Sequence, residues 1–345
     1  MTLKRFVLLA VLTALVPACA PVSKLPQIAN ADVSAESETM RRLVVEQHLA
    51  DVERLHRIVY PILAANASLC DTRVAYAAGF VVESRFDQIF DYQAASAAAG
   101  LDDRLSIVAV APRSPADQAG LTQGDRVIAV DGAALASTYR ARDEMMKMLA
   151  DSGPAVTLTL ERDGTRRDVT VAREPICNMQ SRVMVTEIVN AYATGTELVA
   201  TTGLLRFLPD DSEFAVIIGH EIAHNIERHT GTGVGNPRIA TLMDFFNSVW
   251  SAKPKEGSGP RMPISQAYEA EADYVGLYLM ARAGFSPAAA QNVYRRFAIS
   301  TPSSINAGLD ASHPASPARV VLLGEAAREI EAKRAAGLPL IPERK

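Results

Sequence analysis

Two histidines lie one helical turn apart in the segment His220-Glu221-Ile222-Ala223-His224. Residues at this spacing share one face of a helix, so both imidazoles can bind the same zinc ion. Glu221, beside the first histidine, can reach a water molecule at the metal and serve as general base. Because the pattern H-E-x-x-H also arises by chance, the surrounding helix and a third ligand must decide.

The residues before this segment predict the helix that carries it. Asp210, followed three residues later by Glu213, gives an acidic variant of a capping box ahead of the apolar run 214–218. A helix should therefore begin near Asp211. Gly219 costs helix stability in the middle of this run, which indicates that a neighbouring element packs closely there.

The third metal ligand is not a histidine of the same helix. A metzincin would place it ten residues after His220, with a glycine three residues earlier, but Thr230 and Glu227 occupy those positions. His229 would project from the opposite side of the helix, so it is no substitute.

Two acidic residues farther along the chain are candidates for the third ligand. Glu269 and Asp273 are four residues apart and share one face of a predicted helix that Ser265 caps and Gly284 ends. Glu271 projects about 200° away from Glu269 and should be solvated. The alternative is that Glu269 and Asp273 are surface carboxylates of an exposed helix.

The segment Glu269-Ala270-Glu271-Ala272-Asp273 resembles the E-x-x-A-D pattern of HtpX-like and BepA-like zinc metallopeptidases, relatives of the CAAX prenyl endopeptidases. In that family the leading glutamate binds zinc. The resemblance therefore implies a gluzincin with one Zn²⁺ per chain, held by His220, His224 and Glu269. It also implies that Asp273 orients a ligand imidazole and raises its basicity.

The resemblance extends from about residue 183 to residue 319 and implies two further roles. Asn190, Ala191 and Tyr192 match a family strand that lies beside the cleft and can pair with an extended substrate. His313, in Ser312-His313-Pro314, has three interpretations: an additional metal ligand that holds the enzyme inactive, a donor to the transition-state oxyanion, or a cap on backbone groups of a loop.

A β-rich segment precedes this region. Short strands are predicted at residues 106–110, 126–130, 156–160 and 167–171, the last two flanking the turn Asp163-Gly164. Residues 108–128 resemble a PDZ domain of the bacterial protease type. The resemblance places a loop for a peptide carboxylate at Ala78-Gly79-Phe80-Val81, so Gly79, Phe80 and Val81 are expected to bind peptides, including protein C-termini. The alternative is a PDZ module that only braces the protease.

The N-terminus predicts export and lipidation. Lys4 and Arg5 precede an apolar run, residues 6–16, which is too short to span a bilayer but suits a signal peptide. Ala18 before Cys19 resembles a bacterial lipobox, in which Cys19 is lipidated. By similarity to lipoprotein sorting, Ala20 favours the outer membrane with the protein facing the periplasm. The alternative is an ordinary cleaved signal peptide.

Export bears on the remaining cysteines. Cys70 and Cys177 would meet an oxidising compartment, where paired thiols form disulfides, although two separate buried thiols remain the alternative.

Between the N-terminus and the β-rich segment, apolar residues recur at helical spacing from about residue 37 to residue 65. His48 and His56 on this helix lack acidic or cysteine partners at ligand spacing, so they are expected to be surface or packing residues.

Composition agrees with a folded, globular protein. The 345 residues carry a formal net charge of −4 without a long basic run, which excludes nucleic acid as an expected partner. The predicted fold is of the α+β class, a mainly helical gluzincin domain with a small edge sheet, preceded by a β-rich PDZ domain. The predicted segments are a signal peptide at 1–18, a lipid tether at 19–36, an amphipathic helical segment at 37–70, a PDZ domain at 71–175 and a zinc metallopeptidase domain at 176–345.

The function predicted from these features is zinc-dependent hydrolysis of peptide bonds, with misfolded or envelope proteins as substrates. Two alternatives stand beside it. The protein could act as a cell-envelope chaperone or PDZ adaptor whose protease is latched by His313. A zinc aminopeptidase would need an anchor for the free amine of its substrate, and no such motif is visible.

Replacing Cys19 with alanine is expected to release the protein from membranes, because acyl chains on this residue are the predicted anchor. Membrane and soluble fractions of cells that export the wild type or Cys19→Ala provide the measurement. A Cys19→Ala protein that stays with the membrane fraction would contradict the lipoprotein prediction.

Overall fold

The computed structural model describes residue 23 and residues 26–88, 90–227, 266–305 and 316–344. The predicted signal peptide, the lipidation site Cys19 and His313 lie outside these residues. Within the described ranges, no helix is both long and apolar enough to cross a membrane.

Helix α1, Asn30–Ala65, is the long helix that the apolar spacing predicts. It begins at Asn30, inside the predicted tether, so that boundary was wrong. Residues 30–36 lack apolar periodicity but contain no proline, and extending a helix through such residues costs little once it is nucleated. The described residues up to residue 40 and those from residue 41 onward belong to separate compact units. In the second unit, α1 buries an apolar stripe that includes Leu55, Ile58 and Ile62.

In the described residues from 66 to 177, eight strands and two α-helices follow α1. The strands are β1 Val74–Ala77, β2 Phe80–Glu83, β3 Ser106–Val110, β4 Arg126–Val130, β5 Ala133–Ala134, β6 Ala155–Arg162, β7 Thr165–Ala172 and β8 Glu174–Cys177. The helices are α2 Pro115–Gln118 and α3 Ala141–Asp151. All four strands predicted between residues 106 and 171 are present.

The larger sheet has the order β2-β3-β4-β6-β7, with β5 paired to β4. Its hairpin β6–β7 turns at Asp163 and Gly164, whose φ angles of 51° and 74° suit a two-residue turn between twisted strands. Ser114 caps α2 by accepting a hydrogen bond from the Asp117 N–H at 3.3 Å. β2 forms one edge of this sheet.

A disulfide and a short ladder tie the two ends of this β-rich region together. β1 pairs antiparallel with β8, so that Val74 lies opposite Cys177. Cys177 forms a disulfide with Cys70, and their Cα atoms are 5.6 Å apart. The bond links residues 107 positions apart in the sequence.

The C-terminal part combines a small sheet with helices. Its strands are β9 Gln180–Met184, β10 Ala191–Ala193 and β11 Glu197–Thr201, in the order β10-β11-β9. Its helices are α4 Thr202–Phe207, α5 Asp211–Ile226, α6 Gln266–Arg282, α7 Ala290–Ser300 and α8 Pro317–Ala335. One apolar core joins these helices to α1, and a second fills the larger sheet.

Helices α5 and α6 cross at two glycines. A Cβ on Gly219 would collide with the backbone oxygen of Gly276, and a Cβ on Gly276 would lie 2.6 Å from the backbone nitrogen of His220. Real Cβ atoms do not approach backbone this closely, so the crossing requires glycine on both helices. The close packing predicted from Gly219 is confirmed.

Gly276→Ala should lower the free energy of unfolding by about 1 to 3 kcal/mol or more, because the added methyl group forces the two helices apart. Helix propensity alone would change stability in the opposite direction by about 1 kcal/mol. The sign of the change, measured by urea unfolding, therefore separates the two effects.

Gly324→Ala in α8 is the matched control. The three atoms nearest to a Cβ there all belong to the flexible side chain of Gln291, which can move aside. A Gly276→Ala protein as stable as Gly324→Ala would show that the crossing tolerates a side chain.

Candidate metal centre

Helix α5 presents His220, Glu221 and His224 inside the protein, where they are 3%, 5% and 4% exposed. It begins at Asp211 as predicted, because the Asp210 carboxylate accepts a hydrogen bond from the Glu213 N–H at 2.9 Å. The other half of the predicted capping box does not form. The Glu213 carboxylate instead pairs with Arg296 of α7 at 2.9 Å, since a fixed cation outcompetes a backbone N–H.

Glu269 of α6 completes a cluster with the two histidines. The Nε2 atoms of His220 and His224 are 3.0 Å apart, and the Glu269 oxygens lie 3.5 and 3.4 Å from them. In the described part of the chain, these residues form the one group of three or more His, Cys, Asp or Glu side chains close enough to hold a metal ion. A tetrahedral Zn²⁺ with ordinary bond lengths separates its ligand atoms by about 3.3 Å. The donor types and their spacing fit such an ion.

Asp273, one turn beyond Glu269, contacts the ring nitrogen of His220 that faces away from Glu269 and His224. Its Oδ1 lies 2.9 Å from His220 Nδ1, so Nε2 is the nitrogen directed at Glu269 and His224. Burial alone would lower the pKa of His220, but Asp273 and Glu269 outweigh burial and raise it to about 10. This pairing fixes the orientation of the ring.

Arg319 of α8 joins the two acidic residues, and sequence analysis assigned it no role. Its Nε and one Nη lie 2.6 and 2.7 Å from the two Asp273 oxygens, and the other Nη lies 3.1 Å from Glu269 Oε2. Arg319 is only 6% exposed. Burial alone would raise the pKa of Asp273, but Arg319, with His220, lowers it to about 2, so this carboxylate stays ionised.

Tyr294 of α7 closes the network. Its hydroxyl donates to Asp273 Oδ1 at 2.7 Å and accepts from Arg319 at 2.7 Å, while the guanidinium lies 4.6 Å from the ring centre. No local pattern identifies Tyr294 or Arg319, because an arginine or tyrosine on an amphipathic helix usually reaches the surface. The one available signal is that the family resemblance extends to Arg319.

The other predicted site residues lie outside this cluster. Asn190 precedes β10, and Ala191 and Tyr192 lie in that strand, which forms an edge of the small sheet and packs beside α5. Glu271 is exposed, as predicted.

The predicted peptide-binding residues belong to the larger sheet. Gly79 has a φ of 88° and directly precedes β2. Phe80 packs against the core of the larger sheet, whereas Val81 packs against the core shared by α1. Neither His48 nor His56 of α1 belongs to the metal cluster.

Comparisons with known proteins agree with this architecture. A model of peptidase family M48 matches residues 169–327, and a PDZ domain model matches residues 91–172. The chain therefore contains a PDZ domain followed by a peptidase family M48 domain, the combination that the sequence resemblance predicted.

The relatives include eukaryotic and bacterial metallopeptidases. The mitochondrial metalloendopeptidase OMA1 of Arabidopsis thaliana is 30% identical over 169 residues, 48% of this chain and 32% of that protein. Its namesake in Saccharomyces cerevisiae is 27% identical over 46% of each chain. The beta-barrel assembly-enhancing protease of Yersinia pestis is 28% identical over 127 residues, 32% of this chain and 26% of that protein. The chain spans less than half the length of these relatives.

Arg319→Met should weaken Zn²⁺ binding about 10- to 100-fold, because Glu269 and Asp273 lose the cation that positions them. Competition with a chelator of known affinity measures this change directly. Arg296→Met, which removes the partner of Glu213 away from the metal cluster, is the control and should bind Zn²⁺ like the wild type. Equal affinity in Arg319→Met would show that the network does not support the ligands.

Proposed function

We propose that this protein is a zinc-dependent endopeptidase of the gluzincin type. The observation that carries the proposal is the buried convergence of His220, His224 and Glu269, with nitrogen and oxygen atoms at the separations that one tetrahedral ion requires. The peptidase family M48 match supports the same reaction class.

Each group near the centre has a distinct role in the proposed reaction. When bound, Zn²⁺ lowers the pKa of a water molecule and polarises the scissile carbonyl. Glu221 accepts the proton of the attacking water and delivers it to the leaving amine. Asp273 keeps the His220 ring in place, and Arg319 holds Asp273 and Glu269.

We assign the substrate to the edge strand β10. The carbonyl of Asn190 and the side of β10 that faces β11 are engaged within the sheet, which leaves the opposite edge of Ala191 and Tyr192 for an extended chain. An extended substrate on β10 would run beside α5, the helix that carries Glu221. For His313 we propose one of two roles, a metal-binding latch or an oxyanion donor.

The proposal also covers the cellular location and the substrates of the reaction. The name of the Yersinia pestis relative refers to β-barrel assembly, which suits a protein anchored at Cys19 in the outer membrane and facing the periplasm. The Cys70–Cys177 disulfide supports an oxidising compartment of this kind. We propose unfolded envelope proteins as substrates and protein C-termini as ligands of the PDZ domain around Gly79, Phe80 and Val81.

Glu221→Gln should reduce cleavage of an unfolded outer-membrane protein by about 10²- to 10⁴-fold, since the general base is lost while the metal ligands remain. Gel analysis of the digest measures cleavage, and elemental analysis of the same samples measures zinc. Glu271→Gln, an exposed carboxylate on α6, is the control and should cleave normally.

Cleavage by Glu221→Gln at the wild-type rate would contradict this mechanism. A wild-type protein that contains zinc but does not cleave would instead favour the chaperone or adaptor function with a latched protease.

A further inference from the structure

The last turn of α5 carries the metal-binding residue His224. The helix ends at Ile226, so His224 is the third residue from its end. The last four carbonyls of an α-helix have no N–H partner within the helix, and a terminal turn frays unless other groups bind those carbonyls. Histidine, asparagine and isoleucine are also weaker helix formers than alanine or leucine, so the sequence 224–226 does little to stabilise this turn. The position of the imidazole therefore depends on what holds the end of the helix.

Arg73, which precedes β1, binds this end of α5. Its Nη1 and Nη2 atoms donate to the carbonyl oxygens of Asn225 and Ile226 at 2.5 and 3.0 Å. One guanidinium thus satisfies two of the terminal carbonyls, and its positive charge faces the negative end of the helix dipole. Arg73 and Asn225 are 152 positions apart in the sequence, so a distant part of the chain supplies this cap.

The backbone of Arg73 is fixed at both of its polar groups. Its N–H donates to the Cys70 carbonyl at 2.9 Å, which closes a tight turn, and its carbonyl accepts from the Asn178 N–H at 2.9 Å. Cys70 is joined to Cys177, the residue before Asn178, by the disulfide. The next residue, Val74, begins the ladder opposite Cys177. The turn, the disulfide and the ladder together fix the point from which the guanidinium reaches α5.

The other strand of this ladder leads to the same helical turn. Met179 follows Cys177 by two residues, and its sulfur lies 3.5 Å from the side-chain nitrogen of Asn225. Strand β9 begins at the next residue, Gln180. Residues that flank the disulfide-linked ladder on both of its strands therefore contact the last turn of α5.

We propose that Arg73 is a positioning residue for the metal centre. It holds the last turn of α5 and thereby keeps the His224 imidazole in line with His220 and Glu269. The Cys70–Cys177 disulfide acts through Arg73, because it fixes the backbone from which this side chain extends. The inference rests on the proposed function, since the centre that Arg73 serves is the proposed zinc site.

The two histidines depend on Arg73 to different degrees. His220 lies one turn farther from the end of the helix, and Asp273 contacts its ring at 2.9 Å. The start of α5 has its own cap at Asp210. Loss of Arg73 should therefore free His224 while the rest of the helix keeps its place.

Amide hydrogen exchange of the metal-free protein tests whether Arg73 holds the turn. In Arg73→Met, the amides of residues 224–226 should exchange at least about tenfold faster than in the wild type, because the uncapped turn opens more often. The amides of residues 214–218, nearer the start of the helix, should exchange as in the wild type. Unchanged exchange at residues 224–226 would overturn the proposal. An equal acceleration along the whole helix would also overturn it, because that result reflects a loss of overall stability.

Zinc affinity tests the consequence for the metal centre. Arg73→Met should bind Zn²⁺ about 10- to 100-fold more weakly than the wild type in competition with a chelator, the range found when a group that orients a metal ligand is removed. Equal affinity in the two proteins would contradict the positioning role.

Arg173→Met is the matched control. Arg173 also donates to backbone carbonyls, those of Ser152, Gly153 and Tyr76, and these belong to the β-rich region rather than to α5. This variant should lose stability in thermal unfolding but bind Zn²⁺ like the wild type. The same loss of zinc affinity in Arg173→Met and Arg73→Met would show that overall stability determines zinc binding, and the proposal would be wrong.

Arg73→Lys keeps the test possible if Arg73→Met does not fold. The lysine ammonium retains the positive charge but lacks the planar fork that binds both carbonyls. Zinc affinity and the protection of residues 224–226 should therefore fall below the wild-type values, by less than in Arg73→Met. Wild-type values of both quantities in Arg73→Lys would overturn the proposal.

A double-mutant cycle tests the role of the disulfide. Replacing Cys70 and Cys177 with serine should also weaken Zn²⁺ binding. Arg73→Met should add little further loss in that background, since both changes release the same turn. Additive losses would contradict the role assigned to the disulfide, and thermal unfolding of each variant establishes that it folds.

This inference and the proposed function fail in different experiments. The exchange measurement uses metal-free protein, so it depends on neither zinc binding nor cleavage. A wild type that binds Zn²⁺ but does not cleave protein contradicts the peptidase proposal alone. Equal zinc affinity in the wild type and Arg73→Met contradicts the role of Arg73 alone.

Discussion

The contact between α5 and α6 at Gly219 and Gly276 determines where the proposed metal ligands meet. Without side chains between them, the two helix backbones touch, and the nitrogen of His220 lies at the point of contact. Glu269 is two turns before Gly276 on α6, so the crossing places its carboxylate opposite both imidazoles. A wider separation would move the carboxylate away from the nitrogens, and the three donors could no longer converge on one ion.

Because this cluster is buried, its negative charges need nearby cations, and residues distant in the sequence supply them. Glu221, Glu269 and Asp273 are all buried, and charges in such a setting are costly unless cations accompany them. Arg319 lies against two of these carboxylates and supplies one positive charge from α8. A divalent ion at the ligands would balance the remaining two. Charge balance thus connects the metal helices to the C-terminal helix and to Tyr294 between them.

Helix α1 connects the PDZ domain to the same centre. Its Arg54 lies 2.9 Å from Asp211 and donates to the carbonyls of Leu205 and Leu208 at 2.7 and 2.6 Å. These groups lie at the end of α4 and the beginning of α5, so α1 contacts the start of the metal helix with one face. Tyr60 of the same helix lies against Ala77 and Gly79, the residues just before β2. The two domains therefore share a helix and an apolar core.

The amino-acid sequence by itself determined the features that depend on neighbouring residues. The spacing of His220 and His224, the cap at Asp210, the turn at Asp163 and the strands around it all follow from local geometry and periodicity. Family resemblance added Glu269 and Asp273. Only the tertiary structure revealed that Arg319 holds both carboxylates and that Cys70 meets Cys177. These pairings join residues far apart in the chain, and helix packing rather than any local pattern decides which of them meet.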